Sequence, residues 1–279
     1  MVGGKRQRGR KPLMGSHQKC WLWGRHVVLE TLRAGRWKPY CVWVSAEFDE
    51  AMRQQVTAAA DRCGACVEVR EPAEITRRCG SDEHQGLIAQ MPPFPYYAEA
   101  GLIEPAAECP LFLVLDGIQD PFNFGSLLRA ADVFGVDGVF VGRRNQSAVS
   151  AQVVRSSAGA INHVRLAEVS DLCELAGRLI AKGVALVAAD GDAELEASEQ
   201  DFSRPTALVI GNEGSGIQRD LLAKCSESVR IPQYGRVSSL NAAMAGGILL
   251  YEICRQRSLR RGASDGLSRT AEHTKPAGD

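Results

Sequence analysis

The run LFLVLDGIQDPFNFGSLLRAA, residues 111–131, carries the reading on which the rest of the chain turns. Leu111–Leu115 is a continuous apolar run, the signature of a strand covered on both faces. Asp120 followed by Pro121 marks a helix start, an N-cap with proline at the first helical position. Phe124, Leu127, Leu128 and Ala131 then supply the buried stripe of that helix. Asn123 falls in its first turn, where free backbone N–H groups favour an anion. Arg129 lies about 140° round from Phe124 at 100° per residue, off the stripe. It reads either as a solvated helix arginine or as a side chain presented for work.

Working outward, the same strand-then-helix alternation continues. Gly138–Val141, Val164–Leu166, Ala185–Ala189, Ala207–Ile210 and Val229–Ile231 are short runs rich in Val, Ile, Leu and Ala. Helical stretches at 124–134, 172–182 and 240–255 lie between or after them. This alternation predicts an α/β domain over 111–258, a parallel sheet with helices on both faces. Ligands of such sheets bind at the carboxyl ends of the strands.

Upstream, residues 21–97 read as a smaller α/β domain. Val27, Val28 and Leu32 recur at helical spacing before a stop at Gly35, and Cys41–Val44, Cys66–Val69 and Gly86–Ala89 are strand-like. Met91-Pro-Pro-Phe-Pro95 breaks regular structure, and 98–110 reads as an acidic linker. Residues 1–20 hold six Lys/Arg and no acid, and are expected to be a mobile basic arm, either a solvated tail or a phosphate-seeking one. Residues 259–279 are expected to be a disordered tail.

The whole chain of 279 residues balances 33 basic against 33 acidic side chains, with 45% hydrophobic and 24% charged residues, a globular composition. No run of about 18 apolar residues is present, which argues against a membrane span. The basic start lacks the apolar stretch of a secretory signal. The nine cysteines read as free cytosolic thiols. Cys63-Gly-Ala-Cys66 is a lone CxxC without a second ligand pair, and the five histidines show no metal spacing, so no metal is expected.

Two further loops hold polar residues of interest. Gly211-Asn212-Glu213-Gly214-Ser-Gly216 follows a strand directly. Three glycines in six residues let backbone approach a ligand, yet the spacing is neither a Walker loop nor the dinucleotide fingerprint. Glu213 would repel a phosphate and suits hydroxyls, an amine or a positive charge. The other loop is Ile231-Pro-Gln-Tyr-Gly235-Arg-Val-Ser-Ser239-Leu240-Asn241. Ser239 has no obvious His/Asp partner for a hydrolase triad and can cap the helix that follows. In that helix Ala242/Gly246 and Ala243/Gly247 set small residues four apart, allowing close packing within the subunit or against a second copy.

In order, P-x-N-x-G-x-x-x-R-x-A (Pro121–Ala131), G-x-E-x-x-G (Gly211–Gly216) and I-P-x-x-G-x-x-S-S-L-N (Ile231–Asn241) resemble the three motifs of the SpoU/TrmH-type RNA ribose 2′-O-methyltransferases of the SPOUT superfamily. Ser156-Ser-Ala-Gly-Ala160 lies where that family carries a similar segment. Gly24-Arg-His26 and His84-Gln-Gly86 resemble the RNA-binding domain of its bacterial 23S rRNA guanosine branch. The resemblance spans about 23–258. It departs mildly at Gln233, usually Met, and at Ala242-Ala-Met-Ala, usually Val-Ser-Val-Ala. It implies a knotted (trefoil) parallel-sheet domain, S-adenosyl-L-methionine as cofactor, RNA as partner, a homodimer and a cytoplasmic enzyme. Gly211, Asn212, Glu213, Ile231, Leu240 and Asn241 match its cofactor-binding positions. Asn123, Arg129, Glu213, Ser239 and Asn241 match its catalytic set. A tRNA substrate, or a non-catalytic RNA-binding assembly factor of the same fold, stays open beside the rRNA reading.

Overall fold

The computed structural model describes residues 21–104, 108–237 and 239–271, with side chains to Arg260. The basic arm expected at 1–20 lies outside the described residues, as does 272–279 of the expected tail. The chain divides into two units at Phe94/Pro95.

The first unit is built on a mixed sheet. Its strands are β1 (Trp21–Trp23), β2 (Cys41–Ser45), β3 (Cys66–Arg70) and β4 (Leu87–Gln90), in the order β1-β4-β2-β3. Strands β2 and β3 are parallel, while β4 runs antiparallel to β1 and β2. Three helices, α1 (Arg25–Ala34), α2 (Glu50–Cys63) and α3 (Pro72–Cys79), connect them. Gly35 ends α1 in the left-handed conformation at φ 66, as its sequence position predicts. Strand β1 and helix α3 were not foreseen. Each is short, and α3 shows only two buried residues, Ile75 and Cys79.

In the second unit the elements are α4 (Ala100–Ile103), β5 (Leu111–Asp116), α5 (Pro121–Val133), β6 (Gly138–Gly142), α6 (Ala151–Ser156), β7 (Leu166–Val169), α7 (Leu172–Ala181), β8 (Ala185–Ala189), β9 (Leu195–Glu196), β10 (Thr206–Gly211), α8 (Arg219–Leu222), β11 (Glu227–Arg230) and α9 (Ala242–Ala271). Among the described residues, seven strands form one sheet in the order β7-β6-β5-β10-β8-β11-β9, every neighbouring pair parallel. All six residues of β5 and all six of β10 are buried. That is why both read as unbroken apolar runs. Phe112 and Phe140 meet edge to face at 5.6 Å inside this core.

Three expectations are corrected. The segment 98–110 is not a plain linker: Leu102 and Ile103 of α4 are buried in the core of the second unit, two apolar residues in an acidic stretch. The strand expected at Val164–Leu166 is Leu166–Val169, because Val164 still donates its N–H to Ala160 in the preceding turn. Residues 259–271, expected in a disordered tail, continue α9. The helix meets no proline there, only two glycines among Leu, Arg, Ala, Ser, Asp and Thr, and glycine is tolerated in a helix at a cost of about 1 kcal/mol.

One ridge of the small-residue surface of α9 packs within the chain. A Cβ on Gly246 would stand 2.4 Å from Leu127 Cδ2 of α5, so that ridge packs on α5. Gly247 has nothing within 4 Å of the same position. Gly246→Ala is therefore expected to lose about 1–3 kcal/mol through overpacking. Gly177→Ala in α7, where the added Cβ meets nothing, is expected to gain about 0.5–1 kcal/mol. Thermal melts of the two variants check the contrast; equal shifts would show that the α5–α9 contact is slack.

Candidate active site

The three polar loops converge at the carboxyl ends of the central strands. Gly211, the last residue of β10, is the register partner of Asp116, the last of β5. Beyond Gly211 the chain closes on itself: Asn212 and Gly216 exchange both backbone hydrogen bonds at 3.0 Å. The Asn212 carboxamide oxygen accepts the N–H groups of Gly214 and Ser215. A Cβ on Gly211 would lie 2.3 Å from the backbone of Gly216, so only glycine permits this tight return.

Side chains then tie the loops together. The Asn212 Nδ2 donates to the Gly117 carbonyl at 2.7 Å. Asp116, buried, accepts from the Gln218 N–H at 2.7 Å and from its Nε2 at 2.6 Å. Asp120 caps α5 by accepting the N–H groups of Phe122 and Asn123, as the Asp-Pro sequence predicts. Asn123, buried in the first turn, donates its Nδ2 to Glu213 Oε1 at 2.7 Å and accepts at Oδ1 from Asn241 Nδ2 at 2.8 Å. A carboxylate only accepts, which fixes the orientation of both amides. Asn241 Oδ1 in turn accepts the N–H groups of Ala243 and Met244. Asn241 and not Ser239 is thus the cap of α9, because the helix begins at Ala242 and not at Leu240.

A cleft of about 670 Å³ opens beside this network. It is lined by the expected Gly211, Asn212, Glu213, Ile231, Ser239, Leu240 and Asn241. Asn123 reaches it through Glu213 and Asn241. Arg129 is exposed on α5, does not line the cleft, and makes no hydrogen bond or ion pair among the described residues. It is not held by Glu213, which bonds the two asparagines 123 and 212 instead. Sequence reasoning missed the turn Ala189–Asp192, which lines the cleft at the end of β8, and the Asp116–Gln218 pair. An Asp-Gly-Asp turn directly after an apolar run was the available signal.

The architecture now meets known proteins. The family profile described as SpoU rRNA Methylase matches residues 110–251, and the one for RNA 2′-O ribose methyltransferase substrate binding matches 21–97. A TrmH-family tRNA/rRNA methyltransferase of Bacillus subtilis is 33% identical over 87% of this chain and 98% of its own. The chain belongs to the SpoU methylase family. It is an S-adenosylmethionine-dependent RNA 2′-O-ribose methyltransferase. Solved structures agree. The SpoU methyltransferase AviRb from Streptomyces viridochromogenes, in complex with S-adenosylmethionine, superposes with a TM-score of 0.75 at 26% identity, over 86% of this chain and 91% of that one. An S-adenosylmethionine-bound rRNA methyltransferase from Sinorhizobium meliloti gives 0.73 at 27%, over 85% and 87%.

The cleft of this SpoU methylase fits the cofactor. Its volume lies in the range of sites for ligands of that size, roughly 300–1,000 Å³. Asp190, Asp192 and Glu213 line it, and no Lys or Arg does among the described residues, which suits a sulfonium cation. Asn123→Asp tests the network that frames it. Two carboxylates in contact raise the pKa of one, so the cost is expected at about pH 8 and is relieved at about pH 5, where a proton restores the bond. Thermal melts at both values check this; equal losses would show that residue 123 does not press on Glu213.

Proposed function

We propose that this enzyme methylates a guanosine 2′-hydroxyl in 23S rRNA and works as a homodimer in the cytoplasm. The observation that carries the reading is the Asn241–Asn123–Glu213 chain beside an acidic cleft, which joins all three motifs at one point. The likeness to the Sinorhizobium meliloti rRNA methyltransferase over 85% of the chain supports rRNA as the substrate class. In the first unit, Arg25, His26, Arg33 and Gln85 line an open cleft of about 490 Å³, a surface suited to RNA phosphate and base edges. The strand order, with β10 inserted between β5 and β8, supports the trefoil knot that the family resemblance implies.

When bound, S-adenosylmethionine supplies a methyl group on a sulfonium, ready for in-line displacement by a ribose oxygen. The protein has to align the pair and deal with the hydroxyl proton. Glu213, Asp190 and Asp192 favour the cation. Gly211, Asn212, Ile231 and Leu240 hold the cofactor by close backbone and apolar contact. Asn123 sets the Glu213 carboxylate and, with Asn241 and Ser239, orients ribose or cofactor by hydrogen bonds. Arg129, exposed and without a partner among the described residues, takes the phosphate next to the target ribose and stabilises the developing alkoxide. A guanidinium stays protonated, so the proton leaves to that phosphate or to water and not to Arg129.

Tritiated methyl transfer to deproteinised rRNA, with mapping of the 2′-O-methyl site, tests the reading. Arg129→Ala is expected to lower kcat by about 10²-fold or more with cofactor affinity unchanged, and Arg129→Lys to recover little of it. Near-wild-type turnover of the lysine variant would refute bidentate phosphate orientation. Transfer to tRNA alone would move the substrate, and no transfer to any RNA would favour an assembly factor.

The homodimer rests on the free side of α9. Met244, Ile248 and Tyr251, spaced along one face, are 59%, 41% and 56% exposed, and Phe122 and Val133 of α5 add exposed apolar area. Ile248→Asp is expected to convert a dimer to a folded monomer by sedimentation, with circular dichroism unchanged. A dimer that survives the charge places the interface elsewhere.

A further inference from the structure

The Cys63–Cys66 pair that the sequence singles out is not a site. Cys63 ends α2, is buried, and donates its thiol to the Leu32 carbonyl at 3.3 Å, while Cys66 opens β3 after the left-handed Gly64. The structure gives Cys66 a different neighbour. Cys66 is the register partner of Cys41 on the parallel strand β2, so both thiols project from the same side of the sheet. Glu68, two residues further along β3, shares that side. Their ligand atoms all lie within 4.8 Å of one another.

We propose that Cys41, Cys66 and Glu68 form a site for a thiophilic divalent cation such as Zn²⁺, joining the edge strand β3 to β2. Zinc–sulfur distances of about 2.3 Å and zinc–oxygen distances of about 2.1 Å put ligand atoms roughly 3.4–3.8 Å apart in a tetrahedron. Small side-chain rotations close the cluster to that size. Cys66 is exposed on the outer strand and gives the cation entry, while Cys41 is buried. Binding releases both thiol protons, and the resulting two thiolates and one carboxylate face a divalent cation and the guanidinium of Arg70, already paired with Glu68. Three negative charges then face three positive ones, with Arg70 also paired to Glu74. A thiol–disulfide pair is the other chemistry two such cysteines offer. The carboxylate in the cluster has no role in it.

Cobalt titration of the reduced full-length protein, with a chromophoric chelator as competitor, tests the site. The expected result is one Co²⁺ per chain with a thiolate-to-metal charge-transfer band, displaced by Zn²⁺. The band disappears in Cys66→Ser, an exposed position whose fold circular dichroism checks, and in Cys41→Ser. Affinity falls by about tenfold or more in Glu68→Gln and is unchanged in Cys63→Ser. A band that survives Cys66→Ser, or no band at all, overturns the proposal. So does a Cys41–Cys66 disulfide formed with a mild disulfide oxidant in a protein that takes up no cobalt.

Discussion

The amide–amide and amide–acid contacts running Asn241 to Asn123 to Glu213 are the constraint on which the second unit's cleft depends. They join α9, α5 and the loop after β10, elements about 90 and 118 residues apart in pairs along the chain. Each amide is used at both ends. Asn123 accepts from one motif and donates to the other, and Asn241 also caps the helix it precedes. Asn123 is the buried member, between the exposed Glu213 and Asn241, so an unpaired carboxamide at position 123 costs more than its bonds contribute.

The sheet explains why that network sits where it does. Parallel strands bring all their carboxyl ends to one edge, and β5 and β10 end at register-paired Asp116 and Gly211. Asp116 spends both carboxylate oxygens on Gln218, which turns the chain out of the β10 loop. Backbone polar groups of the loop are satisfied internally by Asn212, leaving an acidic, close-walled cleft that suits a cation. The fold supplies the position and the loops supply the chemistry.

Much of this was legible in the sequence, for identifiable reasons. Continuous apolar runs announced buried parallel strands, and Asp120–Pro121 announced the start of α5, because those signals are local. The motif spacing announced the loops that line the cleft. What was misread depended on contacts with distant residues. Ser239 and Asn241 are equally good caps on paper, and only the starting residue of α9 selects Asn241. Leu102 and Ile103 look like stray apolar residues in an acidic linker until the core of the second unit covers them. The cysteines repeat the lesson, since Cys66 faces Cys41 and not the nearby Cys63.

The sequence by itself determined the class of fold, the buried strands and longer helices of the second unit, and the loops whose polar residues meet beside the cleft. Periodicity, capping and glycine spacing are properties of short segments, and short segments can be read alone. Tertiary structure decided which ridge of α9 packs on α5, which asparagine caps, that Glu213 holds Asn123 and not Arg129, and that Arg129 is left free at the surface. Those choices are settled by steric fit and hydrogen-bond geometry between segments far apart in sequence. No local pattern contains that information.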